Sequence, residues 1–219
     1  MWDAHRAHEL MLDALACDSR RRVREQSHLG IDALDELSLH PLLRDGLARE
    51  WTVLAEQRFP AHARKSKRSE GDRCDIVLVD QSRGDAHLSD PLTAGTLFGG
   101  KGIEPEEAVW IEVKAVGQFA IFDDDYARPN PQYSSVLLQQ VQRDVKKLSA
   151  DERIRNSGVL VAHFCAGATI AENDLRAMTD KLFEKAPSIS TPITGSFEIP
   201  DHIGNSLCTL ALIPVHHSA

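Results

Sequence analysis

Long apolar runs are the first thing that this sequence lacks. Its longest apolar stretches, such as residues 76–79 and 159–162, fall far short of the roughly 18 residues that a membrane-spanning helix needs. The first residues also lack a basic segment followed by an apolar block, which a secretory signal would show. We therefore expect no membrane span, no signal peptide and a cytoplasmic location.

Cysteine is also scarce, and its few copies lie far apart in the chain. The four residues are Cys17, Cys74, Cys165 and Cys208, with no Cys-x-x-Cys pair among them. A structural zinc site needs such closely spaced ligands, so we do not predict one. The sequence alone leaves disulfides open, but reduced and mostly buried thiols are the simpler expectation.

An excess of positive charge is the third absence. The formal net charge is −8, which argues against a protein that coats nucleic acid non-specifically. Residues 58–73 nevertheless form a basic stretch, RFPAHARKSKRSEGDR. Arg64, Lys65, Lys67 and Arg68 are our candidates for a basic wall that contacts nucleic acid, and a solvated loop is an equally good interpretation of this stretch alone.

Hydrophobic residues make up 42% of the chain, enough to bury a core, and their spacing indicates the elements. Helices are predicted over residues 2–26, 32–37, 41–50, 133–148 and 171–185. Strands are predicted over residues 52–59, 74–79, 109–116, 158–164 and 207–215, with a possible edge strand over 117–122 and a long loop over 81–107. Consecutive strands favour an antiparallel meander, and the strand–helix–strand unit after them favours a parallel crossover. The predicted fold is α/β: a mixed central sheet flanked by helices, with residues 1–38 as an N-terminal helical arm and 39–219 as the main domain.

The segment VWIEVKA, residues 109–115, carries the chemistry. Side chains alternate along a strand, so Glu112 and Lys114 point to the same face of a strand that is otherwise apolar. Burying these charges costs free energy unless they are paired or bind a metal ion. The preceding apolar strand carries one isolated acid, Asp75, and neighbouring strands lie about 4.8 Å apart. Asp75 and Glu112 are therefore predicted to share one cation.

An Asp on one strand followed by Glu-x-Lys on the next resembles the PD-(D/E)XK nuclease superfamily. The matching residues are Asp75 in RCDIVLV and Glu112 and Lys114 in WIEVKAV, and the order of elements over residues 40–165 is similar too. The resemblance implies a restriction-endonuclease-like fold and hydrolysis of phosphodiester bonds, in DNA more often than RNA. It implies Asp75 and Glu112 as ligands of Mg²⁺, with Mn²⁺ able to substitute, and Asp75, Glu112 and Lys114 as catalytic residues.

Members of that superfamily often add an acid from the first helix or strand, and a polar residue from the helix after the Glu-x-Lys strand. Glu56 is our preferred acid because its strand should neighbour that of Asp75, and Glu50 is the alternative. On the helix, Gln139 is the catalytic candidate, with Gln140 beside it, and Arg143 is a candidate for the phosphate backbone. An ordinary surface glutamate is an equally good interpretation of each acid, and a solvated helix face is the simpler interpretation of each helix residue by itself.

Two other functions fit the same residues. The chain could be a non-catalytic module that keeps the nuclease fold in order to bind protein or nucleic acid, which its acidic net charge favours. Alternatively, Glu112 and Lys114 could be a structural ion pair in an unrelated α/β protein. The sequence does not choose between DNA and RNA or between an endonuclease and an exonuclease, and it leaves a homodimer open.

Overall fold

The structure is a computed structural model that describes residues 2–60, 73–83, 87–89, 102–122, 126–185 and 188–216. In this part of the chain the helices are α1 (Ala4–Arg24), α2 (Glu36–Leu47), α3 (Tyr133–Ser135), α4 (Val141–Ser149) and α5 (Ala168–Lys185), with a π-helical turn at Val136–Gln140 that joins α3 to α4. The strands are β1 (Trp51–Arg58), β2 (Arg73–Asp80), β3 (Val109–Gly117), β4 (Phe119–Ile121), β5 (Ala127–Pro129), β6 (Asn156–Cys165), β7 (Ile193–Glu198) and β8 (Leu207–Val215). Short 3₁₀ turns cover Ile31–Ala33, Gln81–Arg83 and Pro105–Glu107.

Six strands form one mixed sheet in the order β1-β2-β3-β6-β8-β7. β1, β2 and β3 form the predicted antiparallel meander, and β6 lies parallel to β3 after the helical crossover. β8 and β7 then add two antiparallel strands. The α/β class and the mixed sheet flanked by helices are thus confirmed.

The two faces of the sheet bury separate apolar clusters. On one face, residues such as Ile111 and Leu160 pack with Leu43 of α2 and Met11 of α1. On the other face, Trp110 and Val161 pack among residues of α4 and α5. β3 contributes alternate residues to the two clusters, because successive side chains of a strand point to opposite faces. This strand is therefore buried from both sides, and any charge on it needs a partner.

α1 is a part of the layer that covers the sheet. Ala7, Met11 and Leu15 of α1 are completely buried in the same cluster as the strand residues. The boundary that we predicted between residues 38 and 39 falls inside α2. α1 therefore helps to close the core instead of extending from it.

The predicted break at His40 and Pro41 is wrong, because α2 continues through Pro41. A proline in a helix removes one N–H group and leaves the carbonyl of the residue four positions earlier without its usual donor. Here that residue is Leu37, which is 68% exposed, and Pro41 is exposed on the same side, so water can serve this carbonyl. Leu39, Leu43 and Leu47 meanwhile keep one buried stripe through the proline.

β7 was missed in the sequence. Of the loop predicted over residues 81–107, the structure describes residues 81–83, 87–89 and 102–107, and these carry more local structure than we predicted. β7 reads ITGSFE and alternates between half-buried and exposed positions at the edge of the sheet. Within the loop, the Ser89 amide donates to the Ile103 carbonyl at 2.9 Å, and the Ile103 amide donates to the His87 carbonyl at 2.8 Å. At its base, Arg83 bonds to Glu107, and Arg153 holds both Glu104 and Glu106 by hydrogen bonds. The predicted edge strand is present as β4, which pairs with β5 in a separate hairpin.

All four cysteines are free, and three of them are buried. Cys74 belongs to β2, and its Sγ donates across to the carbonyl of Ile111 on β3 at 3.3 Å. Burial raises the pKa of the Cys74 thiol well above its ordinary value. None of the helices within the described residues combines the length and apolar character needed to cross a bilayer.

Candidate active site

The site forms where β2 and β3 separate. Their ladder runs from Leu78 opposite Val109 to Ile76 opposite Ile111, and one further step would set Asp75 opposite Glu112. At that step a side chain replaces the backbone ladder, because Asp75 Oδ2 accepts a hydrogen bond from the Val113 amide at 2.7 Å. Asp75 and Glu112 lie on adjacent antiparallel strands, as predicted.

Glu112 is a buried carboxylate whose partner comes from α4. Only 3% of the residue is exposed, and its Oε1 accepts a hydrogen bond from Lys147 Nζ at 2.9 Å. Burial raises the pKa of Glu112 to about 8; the nearby charge of Asp75 acts in the same direction, and Lys147 acts against both. Lys147 also lies 4.2 Å from the centre of the Phe59 ring, which holds its ammonium in place. Glu112 is therefore a carboxylate that a second cation would stabilise.

Lys114 is enclosed by two acids that sequence reasoning missed. Its Nζ lies 3.2 Å from Glu36 Oε1 of α2 and 3.2 Å from Asp144 Oδ2 of α4. It also donates to the carbonyl of Val113 at 2.8 Å. Burial alone would lower the pKa of Lys114, but the charges of Asp144 and Glu36 outweigh burial and raise it. The ammonium is thus held charged in a half-buried position.

Glu112 and Lys114 each have partners of opposite charge on the helices, Lys147 for the first and Glu36 and Asp144 for the second. This differs from the alternative of a structural ion pair, in which Glu112 and Lys114 would neutralise each other. Burial raises the pKa values of Glu36 and Asp144 as well. The result is a cluster of charges drawn from α2, β2, β3 and α4, with acids in excess.

One group in this cluster could hold a metal ion. Glu36, His40 and Asp75 each offer a ligand atom, and these atoms lie within 4.8 Å of one another. Glu36 and His40 are one helical turn apart on α2 and share a face of it. His40 is only 4% exposed, and its Nε2 has no hydrogen-bond partner among the described residues. Two carboxylates and an imidazole suit a divalent ion such as Mn²⁺ or Zn²⁺, and Mg²⁺ less well.

Glu56, our preferred additional acid, lies at the edge of this group. The register of β1 and β2 sets it opposite Asp75, and its Oε1 is 3.9 Å from His40 Nδ1. Glu56 adopts a positive φ of 53°, which is uncommon and costly for a residue other than glycine. The alternative, Glu50, precedes the opposite end of β1 and accepts a hydrogen bond from Arg6 Nε at 2.8 Å. Of the two acids, the structure brings Glu56 towards the site.

The other predicted residues are less well placed. Gln139 and Arg143 are exposed on the helical segment above the sheet, whereas Gln140 is half-buried one turn before Asp144. The basic candidates Arg64, Lys65, Lys67 and Arg68 lie outside the residues that the structure describes. The sequence could have indicated that Asp144 is buried, because it falls on the buried stripe of its helix beside Val141 and Val145. Glu36 gave no such indication, because it lies near the end of the short helix predicted over residues 32–37.

Comparison with known proteins gives no family for this chain. No protein-family model matches it, and neither a curated protein nor a solved structure is significantly similar to it. The class that fold and site define is therefore an α/β protein with a mixed six-stranded sheet and a buried cluster of ionisable groups at the point where two strands diverge.

Proposed function

We propose that this chain is a metal-dependent nuclease that hydrolyses phosphodiester bonds in nucleic acid. The observation that carries the proposal is the set of Asp75, Glu112 and Lys114 on two diverging strands, next to a group of residues fit to bind a cation. Glu112 is buried, and Asp75 and Lys114 are half-buried. Buried charges are expensive, and a fold that needs only stability does better with apolar side chains. Such a set of charges is therefore better explained by chemistry than by packing.

Each residue of the site would have a separate role in hydrolysis. Asp75, with Glu36 and His40, would hold the ion, which when bound supplies a polarised phosphate and an activated water molecule. Lys114 would hold the attacking water by a hydrogen bond or stabilise the negative charge that develops on the phosphate oxygens. Glu36 and Asp144 keep Lys114 charged and in place. Glu112 would exchange its contact with Lys147 for one with the site's cation.

DNA is the substrate that we propose first, with Mg²⁺ or Mn²⁺ as the cation. The resemblance to PD-(D/E)XK nucleases in Asp75, Glu112 and Lys114 supports this choice. The imidazole of His40 favours Mn²⁺ over Mg²⁺ at the same site, since the softer ion accepts nitrogen ligands more readily.

A non-catalytic module with the same fold is the second candidate. It is favoured by the net charge of −8 and by the ion pairs that already satisfy Glu112 and Lys114 within the protein. A binding module has no need for an ion at Asp75. Metal binding together with cleavage therefore separates the two functions.

The test measures cleavage of single-stranded and double-stranded DNA and RNA with Mg²⁺ or Mn²⁺, and metal binding by calorimetry. Lys114→Ala should lower the cleavage rate by about 10²–10⁴-fold and leave metal binding largely intact, because lysine is not a ligand for these ions. Asp75→Asn and His40→Ala should weaken metal binding and cleavage together. Lys146→Ala is the matched control, since Lys146 is an exposed lysine on α4.

Circular dichroism must first show that each variant is folded, because an acid that loses its buried partner can destabilise the sheet. Cleavage by a folded Lys114→Ala variant at the unaltered rate would remove Lys114 from the mechanism. If the unaltered protein neither cleaves any nucleic acid nor binds metal at millimolar concentration, the non-catalytic module becomes the better proposal.

A further inference from the structure

A cavity of about 270 Å³ opens beside the candidate active site. It lies between the turn before α2, the end of β3 and the β4–β5 hairpin. It shares Glu36 with the charged cluster, and Ala115 in its wall directly follows Lys114. Its volume is just below the usual range for small-molecule sites, about 300–1,000 Å³. The cavity therefore suits one small planar group and is too small for a duplex.

The walls of the cavity combine an apolar surface with acidic groups. Leu34, Phe119 and Ile121 are among the apolar residues that line it, and Asp32, Asp35 and Glu36 are the acidic residues of its lining. Carboxylates accept hydrogen bonds, so they favour a ligand that offers N–H groups. The same charges repel phosphate. A nucleotide would therefore enter this cavity with its base and leave its phosphate outside, on the side of Lys114.

Phe119 and Asp32 are held rigidly by one buried amide. Asn205 is completely buried, and its Nδ2 donates to Asp32 Oδ2 at 3.0 Å and to the carbonyl of Phe119 at 3.1 Å. Its Oδ1 accepts from the Phe119 amide at 3.2 Å. Behind the Phe119 ring lies Gly204, with a φ of +111°, where an added Cβ would come within 2.7 Å of the ring. The ring and the acid thus form a fixed wall.

We propose that this cavity binds one unpaired nucleobase that carries an exocyclic amino group. Adenine, cytosine and guanine offer such a donor, whereas thymine and uracil do not. An aromatic wall can stack on any base, and the acidic wall adds the preference for amino groups. A base can enter only after it has left the duplex, so the substrate is single-stranded or has a flipped nucleotide. This proposal rests on the proposed function, because it treats the cavity as part of the same site.

The test uses the 5′-monophosphates of deoxycytidine and thymidine, which contain no phosphodiester to cleave. Calorimetry on the unaltered protein with Mn²⁺ should show deoxycytidine monophosphate binding about tenfold more tightly, the usual size of one good polar contact to a base edge. Ala120→Leu fills the cavity from β4 and should abolish this preference. Ala127→Leu, on the exposed neighbouring strand β5, is the matched control and should keep it.

Equal binding of the two nucleotides to the unaltered protein, or no binding at millimolar concentration, would overturn the proposal without any variant. Competition by spermidine, together with equal nucleotide binding, would identify a site for organic cations instead. The nuclease proposal is tested separately by cleavage. If the unaltered protein cleaves nucleic acid but does not prefer deoxycytidine monophosphate, only the cavity proposal is contradicted. If it prefers deoxycytidine monophosphate, Ala120→Leu loses that preference and no cleavage is found, only the nuclease proposal is contradicted.

Discussion

Several ionisable residues of this protein are buried, and their burial affects both its stability and its chemistry. Glu112, Asp144 and His163 are all less than 9% exposed. A buried ionisable group must find a partner or lose its charge. Glu112 and Asp144 have lysine partners, whereas His163 loses its charge. The two solutions predict different responses to pH.

His163 should make the protein less stable in mild acid. Its Nε2 faces the hydroxyl of Tyr133, and Asp174 Oδ2 lies 3.8 Å from it. Burial lowers the pKa of His163 to about 4, although Asp174 acts in the opposite direction. Between that value and the unfolded value of about 6.5, the unfolded chain binds one proton more than the folded chain. The free energy of unfolding should therefore fall by up to about 3 kcal/mol as the pH drops from 6.5 to 4.

Urea denaturation at several pH values measures this effect. His163→Leu should flatten the stability profile between pH 6.5 and pH 4 relative to the unaltered protein. His28→Leu changes an exposed histidine and serves as the control, which should keep the slope. Equal slopes for the two variants would show that His163 does not carry the pH dependence.

At the scale of elements, the apolar pattern predicted most of the strands and helices. The strands at 74–79 and 109–116 were found because their side chains are apolar on both faces. β7 was missed because its small and polar residues lie half-exposed at an edge. α2 was divided because the sequence shows the proline but not the exposure of Leu37, which makes the proline tolerable. Local sequence thus indicates which elements exist, whereas their ends depend on what surrounds them.

Leu43 tests how strongly α2 is anchored to the sheet. Leu43 is completely buried, so Leu43→Ala should lower the free energy of unfolding by about 2–5 kcal/mol. Leu37→Ala, on the exposed side of the same helix, should change it by less than about 0.5 kcal/mol. Urea denaturation measures both values. Similar small losses would mean that α2, with Glu36 and His40, is only loosely held on the sheet.

Some residues of the candidate site could be predicted from the local sequence, and others could not. Asp75, Glu112 and Lys114 were predictable because they are isolated charges on neighbouring apolar strands. Their partners were not predictable, because Glu36 and His40 come from a helix that precedes the sheet, and Lys147 comes from one that follows β3. Such residues look like ordinary surface charges until the helices are packed. The cavity beside the site was hidden for the same reason, since its walls are far apart in sequence.

At the scale of the whole molecule, the two faces of the sheet depend on each other through β3. One face needs α1 and α2, and the other needs α4 and α5. Because β3 is buried from both sides, exposing either face would expose the strand that carries Glu112 and Lys114. The charged cluster therefore rests on the complete fold.

Removal of residues 1–27 should abolish cooperative unfolding. This truncation deletes α1 and exposes the apolar surface that Ala7, Met11 and Leu15 now cover. Circular dichroism and urea denaturation of the truncated protein provide the measurement. If it remained soluble and unfolded cooperatively, α1 would be an accessory arm after all.

The alkylation rate of the Cys74 thiol can measure how often β2 and β3 separate. Only the thiolate reacts with an alkylating reagent, and burial together with a raised pKa suppresses it at Cys74, whereas Cys17 is exposed. Mass spectrometry should therefore find Cys17 alkylated first and Cys74 much later, at a rate set by how often the two strands part. Millimolar Mn²⁺ should slow the labelling of Cys74 and leave that of Cys17 unchanged if the proposed ion binds both Asp75 and Glu112, because it would then join β2 to β3. Alkylation would then report ion binding without any added substrate.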